Sequence, residues 1–293
     1  MKPYKNYYRI HTYNYEMKPK KTVNMKTQIK LLTAVATLGI AITFSSCQKE
    51  KIDTPVTSKA TASMALTDLA NNESDAAMDA ADQSFKNEGC ATVTRDMTVM
   101  PHVLTIDYGT SGCVGRDGKR RQGQVVITFD AASFETPGVN IVTSYNNYFV
   151  GGKQISGSMT KHNNGLNSNH NLAFTVTSNI QVFDPNANTT ASENVNQVFE
   201  FVDGSGTLAK SDDVYSITGS STGIDNSGNM YAESITSPII KKRDPGCSLF
   251  FVQGIIVNQT ANQPVKSIDY GNGSCDNLAN VTVNGVTTTV TLQ

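Results

Sequence analysis

The stretch Val281-Thr-Val-Asn-Gly-Val-Thr-Thr-Thr-Val290 indicates the fold class of this chain. On both sides of Asn284-Gly285, valines are separated by an odd number of threonines or other polar residues, so they share one face of an extended strand. An Asn-Gly pair readily adopts the positive φ that a type I′ turn requires at both of its central positions. The segment therefore predicts an antiparallel β-hairpin with one buried face.

The same alternation recurs through most of the chain upstream of this hairpin. Apolar residues alternate with polar ones at Val125, Ile127 and Phe129, at Leu172, Phe174 and Val176, at Phe199 and Phe201, and at Phe250 and Val252. Turn dipeptides separate these runs at Asp117-Gly118, Gly151-Gly152, Asp203-Gly204 and Ser227-Gly228. With no crossover helices between the strands, parallel α/β folds are excluded. Residues 89–293 are predicted to form an all-β antiparallel meander, as a curved open sheet, a sandwich or a barrel-like domain.

A repeated motif is the most specific feature of this β-rich region. Three residues separate Ile106-Asp-Tyr-Gly109 from Cys113, and three separate Ile268-Asp-Tyr-Gly271 from Cys275. Cys90 lies upstream of the first copy and Cys247 upstream of the second. We therefore predict a duplicated β unit over 90–129 and 247–293, with disulfides Cys90–Cys113 and Cys247–Cys275. Closing such loops stabilises a fold by about 3–4 kcal/mol in the chain-entropy model.

The N-terminal region has the pattern of an export signal. Lys26 and Lys30 precede the uncharged stretch Leu31–Phe44, which is too short to span a bilayer but fits the apolar core of a secretory signal. Ser45-Ser46 and Cys47 follow, and this ending resembles the lipobox of bacterial lipoproteins, although Phe44 stands where leucine is commonest. The resemblance implies cleavage before Cys47 and attachment of lipid to that cysteine, which would anchor the protein to a membrane.

Two alternatives to this interpretation are an ordinary cleaved signal and a single-pass anchor. Residues 1–24 are rich in tyrosine and basic residues and have no apolar stretch, so we expect translation to begin at Met25. Within the predicted segments, 1–46 would then comprise upstream residues and the signal peptide. Residues 47–63 would form a disordered, lipidated tether, and 64–88 a short, solvated helix before the β-rich domain.

Charge and cysteine content restrict the possible partners. The first 46 residues hold eight Lys/Arg and one acid, so the remainder holds 16 basic and 24 acidic residues and a net charge near −8. An acidic chain argues against nucleic acid as a partner. Apart from Cys47, four cysteines remain, an even number that suits the oxidising conditions outside the cytoplasm. No spacing of cysteine and histidine suggests a metal site, and we expect no cofactor.

Several motifs resemble those of a widespread family of uncharacterised Bacteroidetes-type lipoproteins of the outer membrane. The resemblance rests on the Cys…IDYGxxxC repeats, on DGKRRQGQVVITF (117–129) and YNNYFVGGKQISGS (145–158), and on the C-terminal segment from Cys275. It implies architecture and location but no established activity. Gln48-Lys49-Glu50 also resembles the start of a signal for display on the cell surface in related bacteria, with Lys51 departing from it. The resemblance therefore leaves the periplasm and the cell surface open.

No catalytic motif of a known class is evident. GxGxxG and Walker-type sequences are absent, and Gly219–Gly223 (GSSTG) matches GxSxG but has no helix after its serine to form a nucleophile elbow. Asp107 and Asp269 are candidates for a hydrolytic carboxylate pair, but we expect each to accept backbone hydrogen bonds in its own turn. Asp225–Asn229 resembles a calcium loop but is interpreted as a hairpin turn. The basic clusters Lys119–Arg121 and Lys241–Arg243 are expected to be solvated.

Three hypotheses about function remain from the sequence. The first is a non-enzymatic, lipid-anchored envelope protein with a binding or structural role, whose curved sheet would enclose a hydrophobic ligand or meet an envelope protein partner. The second is a surface glycan-binding accessory protein, for which an exposed strip of Tyr145, Tyr148 and Phe149 would be evidence. The third is a hydrolase that uses Asp107 and Asp269.

Overall fold

The computed structural model describes Leu66, Glu73, Ser74 and residues 91–115, 118–134, 136–207, 210–244, 246–248 and 250–292. All of these belong to a compact unit that spans Asp53–Gln293. The predictions for Cys47, for Cys90, for the tether 47–63 and for most of the helical segment 64–88 lie outside the described residues. Leu66, Glu73 and Ser74 are helical.

The described part of the β-rich region forms fourteen strands. Their bounds are β1 Thr92–Asp96, β2 His102–Asp107, β3 Cys113–Val114, β4 Arg120–Phe129, β5 Asn140–Val150, β6 Lys153–Leu166, β7 Leu172–Asp184, β8 Thr189–Asp203, β9 Val214–Ile224, β10 Met230–Lys242, β11 Phe251–Thr260, β12 Lys266–Asn272, β13 Leu278–Val283 and β14 Val286–Thr291. A short 3₁₀ turn, Lys210–Asp212, precedes β9.

All the strands join one antiparallel sheet in which sequence neighbours are also spatial neighbours. The order is β1-β2-β4-β5 and then consecutively to β14, while the two-residue strand β3 pairs beside β4. Among the described residues β1 and β14 form the two edges and do not pair with each other. The predicted antiparallel meander is confirmed, and of the three architectures left open the sheet adopts the open one.

One face of the sheet carries the core along its whole width. Because directly paired residues in adjacent strands point to the same side, the strand registers define a continuous row across the face. The row runs through Leu104, Ile127, Thr143, Met159, Ser178, Val195, Ser221, Glu233, Asn258 and Lys266. All of these except Lys266 are buried. We call this side the core face and the opposite side the outer face.

The core face holds two separate apolar clusters with a more polar region between them. The first is built on β2, β4, β5, β6 and β7 around Ile106, Ile127 and Tyr148. The second is built on β9 to β14 around Ile217, Ile256 and Ile268. Each fully buried isoleucine stabilises the fold by about 1.5–3 kcal/mol relative to an exposed one. The two clusters therefore stabilise the two halves of this wide sheet separately.

The hairpin that indicated the fold has the predicted geometry. Asn284 and Gly285 have φ values of 50° and 78°, and Val283 pairs directly with Val286 across the turn. Val281 and Val290 are buried, as the alternation predicts. Val286 is 68% exposed despite lying on the core face. The reason is its position on the edge strand β14, which has a described neighbour on one side.

Candidate functional site

The two IDYG segments form equivalent turns. Asp107 Oδ1 accepts a hydrogen bond of 2.7 Å from the Gly109 N–H, and Asp269 Oδ1 accepts one of 2.9 Å from the Gly271 N–H. Both glycines have a positive φ, which a side chain would disfavour. The expectation that each aspartate caps its own turn is confirmed. Tyr108 and Tyr270, next to these aspartates, are buried in the first and second core clusters.

The structure does not bring Asp107 and Asp269 together. Asp107 ends β2, and nine strand-to-strand steps separate β2 from β12, which holds Asp269. At about 4.8 Å for each step, the separation along the sheet is roughly 43 Å. Asp107 instead accepts a hydrogen bond of 2.9 Å from Gln124 Nε2. This bond and the one from Gly109 hold the pKa of Asp107 below its usual value.

The two copies of the repeat also run in opposite directions. An odd number of antiparallel steps separates β2 from β12, so the first IDYG turn lies at one end of the strands and the second at the other. Ile106 and Ile268 nevertheless lie on the same face, and chain order along the sheet is the same in both copies. No rotation superposes two such units. The turn and its cysteine are therefore repeated at opposite ends of the strands, and the predicted duplicated β unit over 90–129 and 247–293 stays a prediction.

The cysteines are placed as the repeat predicts, as far as the described residues extend. Cys247 and Cys275 form a disulfide with a Cα–Cα distance of 5.0 Å, so this predicted pair is confirmed. Cys113 is also disulfide-bonded. Its predicted partner, Cys90, and the predicted lipid attachment residue, Cys47, lie outside the described residues, so the Cys90–Cys113 pair stays a prediction.

A buried ionic cluster joins the helical residues Glu73 and Ser74 to the core face. The carboxylate of Glu73 accepts hydrogen bonds from Arg121 Nε at 2.6 Å and from another guanidinium nitrogen of Arg121 at 2.9 Å. It also accepts one from the hydroxyl of Tyr148, and Ser74 Oγ is 2.8 Å from Thr143 Oγ1. Burial, reinforced by the charge of Glu73, raises the pKa of Tyr148 well above its usual range.

This cluster corrects two expectations. Within the segment 64–88, which was expected to be solvated, the described residues Glu73 and Ser74 are 2% exposed and fully buried. The basic cluster Lys119–Arg121 was also expected to be solvated, whereas Arg121 is 6% exposed and ion-paired. Sequence reasoning missed Glu73, because an acid in an alanine-rich segment has the pattern of a solvated helix. A single sequence gives no signal that pairs it with an arginine 48 positions away.

The second basic cluster likewise has structural contacts. Lys242 Nζ donates a hydrogen bond of 2.8 Å to the carbonyl of Gly273, next to the loop closed by Cys275. Lys241 Nζ lies 5.7 Å from the centre of the Phe251 ring, a cation–π distance. Lys242 therefore contacts the loop that contains Cys275, and Lys241 contacts the second core cluster. These contacts replace the expectation that the two lysines are solvated.

A polar region lies between the two core clusters on the core face. Asn258 Nδ2 donates to Glu233 Oε1 at 2.7 Å, and Ser221 Oγ is 3.5 Å from Glu233 Oε2. The Tyr231 ring lies over Gly223, where a Cβ atom would be 2.6 Å from the tyrosine hydroxyl oxygen. Burial and the nearby carboxylates of Glu193 and Glu233 raise the pKa of Tyr231. This region is a buried polar layer between the two apolar clusters.

A small cleft opens beside this polar region. It has a volume of about 50 Å³ and is lined by residues that include Leu66, Ala191, Tyr231, Asn258 and Thr260. Sites for drug-sized ligands have volumes of about 300–1,000 Å³. The cleft has no room for a lipid chain, so it is not the open apolar cavity that a hydrophobic carrier needs.

Two further sequence candidates have plain structural roles. In the β9–β10 turn, Asp225 Oδ1 accepts backbone hydrogen bonds from Ser227 at 2.8 Å and Asn229 at 2.9 Å, as the hairpin interpretation predicts. Tyr148 is fully buried, and Tyr145 packs against the first core cluster. Tyr145, Tyr148 and Phe149 therefore do not form an exposed aromatic strip. Over the described residues, no group of three or more His, Cys, Asp or Glu is placed to hold a metal ion.

The outer face of β6 to β9 is the most distinctive accessible surface. The outward-facing residues of these four strands are Gln154, Ser156, Ser158, Thr160, His162, Asn164, Ala173, Thr175, Thr177, Asn179, Gln181, Phe183, Thr190, Ser192, Asn194, Asn196, Val198, Glu200, Ser216, Thr218, Ser220, Thr222 and Ile224. Apart from Asp203, which lies beyond a bulge at the end of β8 and pairs with Val214, the ionisable residues at these outward positions are Glu200 and His162. We call this surface the uncharged face.

The side chains of the uncharged face hydrogen-bond across strands. Asn179 Nδ2 donates to Asn194 Oδ1 at 2.9 Å, and Asn164 Nδ2 donates to Thr175 Oγ1 at 3.0 Å. Their remaining donors and acceptors face outward, as do those of the exposed Thr177, Asn196 and Ser220. From strand spacing and rise, the face measures about 14 Å by about 35 Å. It is a regular array of hydroxyl and amide groups.

No family model, curated protein or solved structure matches this chain. Over the residues that the structure describes, no helix has the length and apolar character needed to cross a membrane.

Proposed function

We propose that this chain is a lipid-anchored, non-enzymatic protein of the bacterial outer membrane that binds a neutral glycan through its uncharged face. The anchor is supported by the apolar segment Leu31–Phe44 followed by Ser45, Ser46 and Cys47, and by the family resemblance. The exported location is supported by the Cys247–Cys275 disulfide, because disulfides persist in oxidising compartments.

The uncharged face is the observation that carries the choice of ligand. Serine, threonine, asparagine and glutamine side chains offer both donors and acceptors, as sugar hydroxyl groups do. The face lacks the lysine and arginine clusters that recognise phosphate, sulfate or carboxylate groups. A neutral polymer can lie across several strands and form many such hydrogen bonds without the desolvation of a charge. Without exposed aromatic rings on which sugars stack, the affinity is expected to be modest.

The core face supports a hydrophobic ligand less well. Its two apolar clusters are filled by buried side chains, and the cleft between them is small and partly polar. The hydrolase hypothesis also has little geometric support, because Asp107 and Asp269 lie in separate turns at opposite ends of the strands.

Affinity electrophoresis of the full chain in detergent tests the proposed ligand class. We expect gels that contain a neutral polysaccharide, such as dextran or mannan, to retard the protein. Gels that contain a polyanion, such as alginate or chondroitin sulfate, should not. Asn196→Lys places a charge at the centre of the uncharged face and should abolish the retardation.

The matched control is Asn280→Lys, which adds the same charge to an exposed outward position on β13, four strands from the uncharged face. It should leave the retardation unchanged. Equal retardation of the Asn196→Lys and wild-type chains, or retardation by polyanions alone, would overturn the assignment of the ligand to this face.

A further inference from the structure

The edge strand β14 is unusually open to pairing. Val286–Thr291 (VTTTVT) contains no charge and no proline, and its register with β13 has no bulge. Sheet proteins commonly protect their edges with charges, proline, bulges or short strands. The opposite edge, β1, has such protection, because it is one residue shorter and ends in Arg95 and Asp96. The two edges therefore differ in how readily they accept another strand.

The geometry of the hairpin determines which backbone groups β14 presents. Val283 and Val286 flank the two-residue turn and form its closing hydrogen-bonded pair. Hydrogen-bonded and non-hydrogen-bonded pairs alternate along an antiparallel ladder. The N–H and C=O groups of Val286, Thr288 and Val290 therefore point toward β13. Those of Thr287 and Thr289 point toward the open edge.

The sequence of this edge is a palindrome about Thr288. Reading outward from Thr288, both neighbours are threonine and both next residues are valine. An antiparallel pair of identical strands centred on Thr288 places Thr287 opposite Thr289 of the partner subunit. It also places Val286 opposite Val290 of the partner subunit. The outward backbone groups of the two threonines match in this register, because they fall at hydrogen-bonded positions on both strands.

We propose that β14 pairs with β14 of a second copy of this chain, so that the two sheets continue into one across a two-fold axis at Thr288. The pairing provides four backbone hydrogen bonds, two on each side of the axis. It also covers Val286, which is 68% exposed in the single chain, with Val290 of the partner subunit. Cross-strand threonine pairs on the outer face add to the contact.

This interface is closed and small. A two-fold contact uses the same surface on both copies, so it ends at two chains instead of growing into a filament. A six-residue edge buries less than about 1,200 Å² in total, the size range of weak, transient complexes. The dimer should therefore depend on protein concentration.

Cross-linking through one introduced cysteine in the full chain, in detergent, tests the register directly. In the proposed pairing residue 288 lies opposite its own copy, at a Cα separation of about 4.5 Å, which suits a disulfide. Thr288→Cys should therefore give a cross-linked dimer on mild oxidation. Thr287→Cys should not cross-link alone, but a mixture of the Thr287→Cys and Thr289→Cys chains should.

Charge swapping gives an independent readout. Thr288→Lys places two like charges opposite each other, and sedimentation should show it to be monomeric where the wild-type chain dimerises. Thr288→Glu should be monomeric alone and form a mixed dimer with Thr288→Lys. Thr94→Cys on β1 is the control for collisional cross-linking. A monomeric wild-type chain at every concentration, or cross-linking that is equal at 94, 287 and 288, would overturn the proposal.

Discussion

Glu73 and Arg121, separated by 48 positions in the sequence, form a buried ion pair whose side chains are 2% and 7% exposed. A buried charge that loses its partner pays a large desolvation penalty, typically about 3–5 kcal/mol of stability. We therefore expect Glu73→Ala and Arg121→Ala each to lower the free energy of unfolding by about 3–5 kcal/mol. Chemical denaturation followed by circular dichroism measures this loss.

A surface pair offers the matched control for that measurement. Lys153 Nζ and Asp184 Oδ2 are 3.6 Å apart, with the lysine half-exposed. Lys153→Ala should cost less than about 1 kcal/mol, since exposed pairs are solvated and screened. The assignment of Glu73 to a buried pair would be wrong if all three variants unfolded at the same denaturant concentration.

Asp107 makes the stability of the first turn dependent on pH. Its folded-state pKa is lowered by hydrogen bonds from Gln124 and Gly109, so its contribution is present above the unfolded pKa of about 3.9 and is lost as pH falls below it. Asp107→Asn should therefore be less stable than the wild type at pH 6, and the difference should shrink toward pH 3. Thermal unfolding at several pH values checks this, and a difference that stayed constant with pH would contradict it.

The disulfide Cys247–Cys275 closes a loop with a sequence separation of 28. Replacing both cysteines with serine should lower the free energy of unfolding by about 3–4 kcal/mol. Mass mapping of a non-reduced digest should show this pair together with Cys90–Cys113. A peptide that joined Cys90 to Cys247 would refute the predicted pairing.

Gly223 allows the close approach of β8 and Tyr231 on the core face. A Cβ atom there would lie 2.0 Å from the carbonyl oxygen of Ser192, which is a severe clash with backbone. Gly223→Ala should therefore destabilise the protein by at least the usual cost of overpacking, about 1–3 kcal/mol. Gly206→Ala is the control, since its Cβ would meet nothing within 4 Å. Equal melting temperatures of the two variants would count against this packing.

The proposed lipid anchor has a simple chemical signature. The mature protein should begin at Cys47, with a mass increased by acyl chains, and should partition into the detergent phase of Triton X-114. Cys47→Ser should remove the acyl mass and move the protein to the aqueous phase, because several acyl chains are needed for stable anchoring. An unmodified wild-type N-terminus at another residue would exclude a lipobox at Cys47.

Local patterns in the sequence were enough for the strands, the turns and one disulfide. Alternation at Val125, Ile127 and Phe129 predicted the buried face of β4. The pair Asn284-Gly285 predicted the hairpin between β13 and β14. These signals are local, since a strand exposes every second residue to one side and a type I′ turn needs positive φ. The Asx turn at Asp107 was predictable for the same reason. The polar residues that alternate with the buried ones in β6 to β9 form the uncharged face, so this surface could also be read from the sequence.

The hairpin Val281–Val290 marks the boundary between what the sequence determined and what the tertiary structure decided. Alone, it determined an antiparallel β fold, because the period of two and the turn chemistry are properties of a few adjacent residues. It left open whether the sheet closes, which depends on how fourteen strands pair and which edges remain. Only the tertiary structure decided that the sheet stays open, that Glu73 meets Arg121, and that the two IDYG turns lie at opposite ends of the strands. Each of these depends on residues far apart in the chain, whose distances the backbone path fixes and a local pattern does not encode.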